Sequence, residues 1–258
     1  MGYALITGAS KGIGKSIAAE LAQRKFNVLL VARSGDLLEA IARDFAGKYK
    51  VQVDWLAVDL SKVNAAQEVY DWCQQKNYSI EILVNNAGYG LSGLFEKYSL
   101  DDNTNMMCVN MIVPVQLCQL FLPALKQQQK AYILNIASSA AYQAVPYLSV
   151  YAGTKAFVMR FSRGLRQEMK KTSVSVTCAA PGATDTDFVL RAQIGEKGLK
   201  TANKVNMSPQ AVARIAVEGM FAGKAEVITG FINKLGAILV WLLPKTLVET
   251  TAMKIYIE

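Results

Sequence analysis

Tyr3-Ala4-Leu5-Ile6-Thr7-Gly8-Ala9-Ser10-Lys11-Gly12-Ile13-Gly14 reads as a short apolar strand that runs into a glycine turn and then a helix. Gly8, Gly12 and Gly14 sit where the apolar run ends and the amphipathic pattern of Gly14–Arg24 begins. Glycine allows a tight turn and close backbone approach. The helix that follows offers free N–H groups and the positive end of its dipole to an anion. Strand, turn and helix in this order suit the pyrophosphate of a dinucleotide, although the spacing is G-x-x-x-G-x-G and not G-x-G-x-x-G. Gly8 to Ser16, GASKGIGKS, also approaches a P-loop. A P-loop places four residues between its first glycine and Gly-Lys-Ser/Thr. Here five intervene, Ala9 to Ile13, which disfavours an NTPase.

Outward from that turn, apolar runs alternate with helical patterns. The runs predict strands at Tyr3–Thr7, Asn27–Ala32, Val51–Val58, Ile80–Asn85, Ala131–Ser138, Ser173–Ala180 and Val227–Thr229. Amphipathic segments such as Asp36–Gly47 and Ala65–Lys76 separate them. Val28-Leu-Leu-Val31 is apolar throughout, as in a parallel sheet covered by helices on both faces. The fold class expected is α/β, a doubly wound Rossmann-type domain over residues 1–258 with a parallel sheet of about seven strands. Asp101–Gln128 reads as one long helix, kinked or broken at Pro114 and Pro123.

About half of the 258 residues are apolar, enough for a sizeable core, and no linker or repeat divides the chain. It contains no histidine, which excludes Ser-His-Asp and Cys-His nucleophiles and histidine-ligated metals. No metal is expected. Cys73, Cys108, Cys118 and Cys178 form no C-x-x-C pair and read as reduced core thiols, which fits the cytoplasm. The net charge of +8 comes from dispersed basic residues with no aromatic-basic platform, so no nucleic-acid partner is expected. The opening apolar run is short and lacks a cationic flank, unlike a signal peptide. Leu235–Leu243 is apolar but spans nine residues, too few to cross a bilayer as a helix. A buried helix or subunit contact is favoured there; a peripheral membrane patch is the alternative.

Tyr151 and Lys155 lie four apart, on one face of a helix. An ammonium close to a phenol stabilises the phenolate and lowers its pKa from about 10. Such a tyrosine can exchange a proton with a carbonyl or alcohol oxygen, and a hydroxyl such as Ser138 can orient that oxygen. The second strand ends in Arg33-Ser34 and not in an acid. Arg33, Ser34 and Lys11 therefore suit the 2′-phosphate of NADP(H) over NAD(H), unless they are simply solvated charges. Asp36 reads as the cap of the following helix.

In combination, TGASKGIG at Thr7–Gly14, Asp59-Leu60, Asn85-Asn-Ala-Gly88, Asn110, Ser138, Tyr151-x-x-x-Lys155 and Pro181-Gly182 make the chain resemble the short-chain dehydrogenase/reductase superfamily over nearly its whole length. That resemblance implies an NADP-dependent oxidoreductase interconverting a carbonyl compound and an alcohol. It implies Tyr151 as acid/base, Ser138 as carbonyl polariser, with Ser139 as an alternative in register, and Lys155 as ribose ligand and tuner of Tyr151. Asn110 would hold a water. Gly8, Ser10, Lys11, Gly12, Ile13 and Gly14 would cradle the phosphates. Asp59 and Leu60 would flank the adenine, and Asn86, Ala87 and Gly88 would line the cofactor. Pro181, Gly182, Thr184 and Thr186 would hold the carboxamide and phosphates. A lid over residues 185–206 and an apolar segment over 230–258 would complete the domain.

The lid region carries Arg191, Lys197, Lys200 and Lys204, followed by Arg214, against Glu196 alone, so it either attracts an anionic acyl thioester or is an ordinary solvated face. Val31-Ala-Arg-Ser34 and Ile228-Thr-Gly230 also resemble DltE-like carbonyl reductases and reductases of long-chain 3-oxoacyl and steroid ketones. This suggests a hydrophobic ketone, with Tyr89, Tyr142, Pro146, Tyr147 and Phe188 as pocket candidates. A homodimer or homotetramer through Asp101–Gln128 and Tyr151–Lys170 is implied. The alternatives are a non-catalytic nucleotide-binding scaffold and a membrane-surface protein on the same fold.

Overall fold

The computed structural model describes residues 2–185, 192 and 206–256. Seven strands form one parallel sheet: β1 Tyr3–Thr7, β2 Asn27–Ala32, β3 Val53–Ala57, β4 Ile80–Asn85, β5 Ala131–Ile136, β6 Val174–Ala180 and β7 Glu226–Ile228. Their spatial order is β3-β2-β1-β4-β5-β6-β7. The direction of winding reverses between β1 and β4, which opens a crevice beyond their carboxyl ends.

Alternation along each strand feeds two cores. Ala4, Ile6, Val28, Leu30, Ile82 and Val84 pack against α1 (Gly12–Gln23), α2 (Gly35–Tyr49) and α7 (Pro209–Phe221). Leu5, Leu29, Leu83 and Ile133 pack on the other face against α3 (Ala65–Gln75), α5 (Val113–Gln127) and α6 (Ser149–Glu168). Phe121 and Leu117 of α5 are fully buried there, and each side chain so buried contributes roughly 1.5–3 kcal/mol.

The long segment differs from its sequence reading. α4 (Leu100–Met107) passes into a π turn over Cys108–Ile112 before α5 begins. Pro114 sits at the start of α5 directly after the π turn, so the irregularity lies ahead of it. Pro123 lies inside α5 without ending it. This stretch, Leu100–Gln127, is the one helix among the described residues long and apolar enough to cross a membrane, and here it covers the sheet. Asp36 is not the cap of α2. Ser34 holds that position, and Asp36 lies in the first turn, favourably placed for the dipole.

The expectation of a buried C-terminal helix also fails within this chain. α8 (Phe231–Leu242) buries only Ala237, and its inward face is built from small or polar residues, Asn233 and Gly236 among them. Its bulk points out: Phe231 is 80% exposed, Trp241 81% and Leu242 75%. α9 (Lys245–Tyr256) follows Pro244 and buries Ala252. All four cysteines are free, and burial pushes Cys73, Cys118 and Cys178 up to about 12, so these thiols are inert core groups.

Candidate active site

The turns after β1 to β6 line one cleft of about 1080 Å3 along the carboxyl edge of the sheet. After β1, Gly8 and Gly12 adopt φ of +68° and +54°, a region glycine enters without cost. A Cβ on Gly14 would lie 2.2 Å from the Gly8 carbonyl oxygen and 2.4 Å from Asn86 Nδ2. α1 starts without a side-chain cap and with no acid in its first turn. Its leading residues Gly12, Ile13 and Gly14 line the cleft beside Ser10 and Lys11. Backbone amides, dipole and space therefore fit a dinucleotide pyrophosphate.

Thr7 locks this turn to β4. Its Oγ1 accepts from the Asn86 and Ala87 amides at 3.0 Å each, and Asn86 Nδ2 donates back to the Thr7 carbonyl at 2.9 Å. Sequence reasoning gave Thr7 no role, because its partners lie far along the chain.

Arg33 and Ser34 after β2 and Asp59 and Leu60 after β3 border the same cleft. Asp59 accepts from the Ser61 amide and hydroxyl at 3.0 and 2.9 Å; the amide bond first, with the Arg33 cation adding to it, holds its carboxyl below the usual range. Asn86, Ala87 and Gly88 after β4, and Pro181, Gly182 and Thr184 after β6, complete the wall. Thr184 Oγ1 donates to the Gly182 carbonyl at 3.0 Å. Thr186, Phe188 and the basic residues Arg191, Lys197, Lys200 and Lys204 lie outside the described residues, as does most of the 185–206 segment.

At the other end of the cleft stand Ser138, Tyr151 and Lys155. Ser138 follows β5, and its Oγ accepts from the Ala140 amide at 3.1 Å. The same hydroxyl hydrogen-bonds the Tyr151 phenol. Ser139 instead spends its amide on the Pro181 carbonyl at 2.7 Å, tying the ends of β5 and β6 together. Of the two serines in register, Ser138 is the one joined to Tyr151. Tyr151 and Lys155 sit one turn apart on α6, both buried.

The electrostatics depart from the sequence reading. Burial pushes the Tyr151 phenol up to about 12, partly offset by the Ser138 hydrogen bond. Lys155 lies one turn further along α6. Its Nζ donates to the Ile136 carbonyl at 3.0 Å and lies 5.8 Å from the centre of the Tyr151 ring. Burial lowers Lys155 itself to about 8.

Asn110 is fully buried within the π turn, and its side chain is engaged by protein. Oδ1 accepts from the Tyr89 amide at 3.1 Å; Nδ2 donates to the Tyr89 carbonyl and to Thr154 Oγ1 at 2.9 and 3.0 Å. Asn110 thus fastens the β4 turn to α6. A Cβ on Gly88 would stand 3.0 Å from Asn110 Oδ1 and 3.1 Å from Lys155 Nζ, so glycine lets the three groups converge.

Of the pocket candidates, Tyr89 lines the cleft. Tyr142 does not. Its hydroxyl donates to Glu226 at 2.5 Å, and Arg163 holds the other carboxylate oxygen at 2.9 Å. Pro146 and Tyr147 are also off the cleft; the Tyr147 carbonyl accepts from the Gly93 amide at 2.8 Å. Their places are taken by Leu148 and by Tyr256 from the last turn of α9, neither of which the sequence pointed to.

The sequence profile of the short chain dehydrogenases matches residues 2–197. The chain belongs to this family. The chain is 38% identical to a zebrafish (Danio rerio) protein named very-long-chain 3-oxoacyl-CoA reductase-A, over 69% of its own length and 57% of the relative's. The chain spans less than two thirds of the length of the animal relatives it matches. It is 32% identical to an uncharacterised oxidoreductase of Staphylococcus aureus, over 71% of its length and 78% of the other. Among solved structures, a short-chain dehydrogenase from Sphingobium yanoikuyae in complex with NADPH superposes with a TM-score of 0.82 at 28% identity, covering 94% of each chain. The chain thus carries the family's Rossmann-type fold.

Proposed function

We propose that the protein is an NADP(H)-dependent reductase of a hydrophobic or acyl-type carbonyl compound. The observation that carries this reading is the bonded Ser138–Tyr151 pair and the buried Lys155 in the same cleft as the glycine turn. Gly8 to Gly14 would hold the pyrophosphate, Asp59 and Leu60 the adenine, and Pro181, Gly182, Thr184 and Thr186 the nicotinamide end. Arg33, Ser34 and Lys11 supply cationic and hydroxyl groups suited to a 2′-phosphate. When bound, the nicotinamide supplies the hydride. Tyr151 Oη gives its proton to the substrate oxygen, and Ser138 Oγ hydrogen-bonds that oxygen. Burial keeps Tyr151 protonated at neutral pH, the form a reduction needs. An alkoxide is far more basic than a phenolate, so the transfer runs downhill, and the nearby Lys155 ammonium favours the phenolate left behind. Asn110 holds the Tyr89 turn in place against α6.

The apolar cleft residues Tyr89, Val109 and Leu148 and the likeness to animal very-long-chain 3-oxoacyl-CoA reductases support a hydrophobic or acyl substrate. Titration of NADPH and NADH against wild type and Arg33→Ala tests the cofactor. Tight NADPH binding, weakened selectively by the substitution, is expected; NADH preference overturns the cofactor assignment. Tyr151→Phe tests the chemistry. Turnover should fall by roughly 10²–10⁴-fold with nucleotide binding retained, and unchanged turnover would favour a non-catalytic scaffold.

A second property rests on α8, whose large apolar side chains face solvent between Lys234 and Lys245. The reading is a cytoplasmic protein with peripheral contact to an anionic membrane through this helix. A homo-oligomer through α5 and α6 belongs to the same proposal; Ile112, in the π turn just ahead of α5, and Phe157 of α6 stand 48% and 41% exposed there.

A further inference from the structure

Tyr256 belongs to no motif of the family pattern, yet it stands in the cleft with Ser138, Tyr151 and Lys155. Ala252 and Tyr256 are four apart on α9 and share a face. Ala252 is 4% exposed, and both residues pack into a small cluster with Met106, Leu148 and Tyr151, apart from the two main cores. α9 is therefore pinned to the molecule along the line that ends at the reactive groups. Burial raises the Tyr256 phenol, so the ring is neutral under ordinary conditions and presents an apolar body to the cleft.

We propose that Tyr256 sets the width of the carbonyl compound the site accepts, by walling the cleft beside Tyr151 from the last turn of α9. The inference rests on the carbonyl-reductase reading. A substrate brought to Ser138 and Tyr151 must fit between Tyr89, Leu148 and Tyr256. An aromatic side chain covers about 150–250 Å2, so shortening it to alanine opens that side to a second ring. Apolar fit of one methylene is worth about 10–200-fold in discrimination, which sets the scale of the effect. Tyr256 is a positioning and selectivity residue here; it takes no proton.

The test compares wild type, Tyr256→Phe, Tyr256→Ala and Tyr151→Phe, each saturated with NADP+ so that bound ketone is not consumed. Affinities for a narrow ketone, cyclohexanone, and a wide one, 1-decalone, are measured by ligand-observed NMR, and NADPH-driven reduction of each is followed separately. In Tyr256→Ala the affinity ratio should move toward 1-decalone by tenfold or more. In Tyr256→Phe, which keeps the ring, it should stay within about twofold of wild type. KM should carry the shift, with kcat for cyclohexanone falling less. An unchanged ratio in a folded, nucleotide-binding Tyr256→Ala overturns the proposal even if reduction proceeds normally. A shifted ratio in a protein that reduces no ketone, and whose Tyr151→Phe form behaves identically, sustains the wall and overturns the reductase reading. Failure of both ketones to bind wild type overturns both.

Discussion

Burial lowers the Lys155 ammonium from 10.5 to about 8, and the sign of its effect on stability follows. As pH rises, the folded protein loses this proton before the unfolded chain does. Between about pH 8 and 10.5 the unfolded chain binds more protons, so stability climbs with pH; below 8 both states are charged and the full cost of burial remains. Tyr151 acts oppositely, losing stability only as pH rises from 10 toward 12, so the window to measure lies under pH 10. From pH 8 to 9.5 wild type should gain about 2 kcal/mol relative to Lys155→Met, measured by urea unfolding. Parallel pH curves for the two proteins would sink this account. The pairing of Tyr151 with Lys155 is legible in sequence because both are on one helix, a turn apart. The direction of the phenol shift is not, because it depends on how much protein covers the pair and on where Nζ points. Tyr142 shows the same limit: closeness in sequence to Ser138 says nothing of the Glu226 carboxylate that takes its hydroxyl.

At the scale of elements, the β1–α1 turn is legible because its glycines answer a local need. Gly14 is the sharpest case. A methyl there would overlap the Gly8 carbonyl and the Asn86 amide, and neither is free to withdraw, since Asn86 also bonds Thr7. Gly14→Ala should therefore cost about 1–3 kcal/mol of stability and weaken NADPH binding at least tenfold, read by thermal unfolding and nucleotide titration. Wild-type values on both would show that the turn relaxes freely. The π turn at Cys108–Ile112 was not legible. The prolines suggested breaks at their own positions, whereas the extra residue is inserted ahead of Pro114, where it turns Asn110 onto Tyr89 and Thr154. Asn110→Ala leaves the Tyr89 amide and carbonyl without those partners, at about 1–3 kcal/mol. Hydrogen exchange at Tyr89 should quicken while the β1 amides keep their protection; equal protection in both proteins argues that the turn is held by other contacts.

For the molecule as a whole, the alternation of strands and helices fixes the sheet and the edge at which the cleft opens, and both follow from local periodicity. What covers a finished surface does not. Leu235–Leu243 reads as a buried helix or a subunit contact because apolar residues are usually covered, yet within this chain α8 packs on the short helix Ser139–Tyr142 and buries only Ala237. Its outward face joins Phe231, Ile238, Trp241 and Leu242 to exposed Lys234 and Lys245, on a protein of net charge +8. Apolar groups flanked by cations suit an anionic lipid interface. Co-flotation should thus be strong with phosphatidylglycerol vesicles, weak with phosphatidylcholine, and reduced by salt as the surface charges are screened. Trp241→Ser with Leu242→Ser should cut flotation about tenfold while leaving the melting temperature within a few degrees, since neither side chain is buried in this chain. If the protein ignores both vesicles and the same double substitution instead splits an oligomer in light scattering, the face belongs to a second copy. In that case α9, which carries Tyr256 into the cleft, would be steadied by a neighbouring subunit and not by lipid.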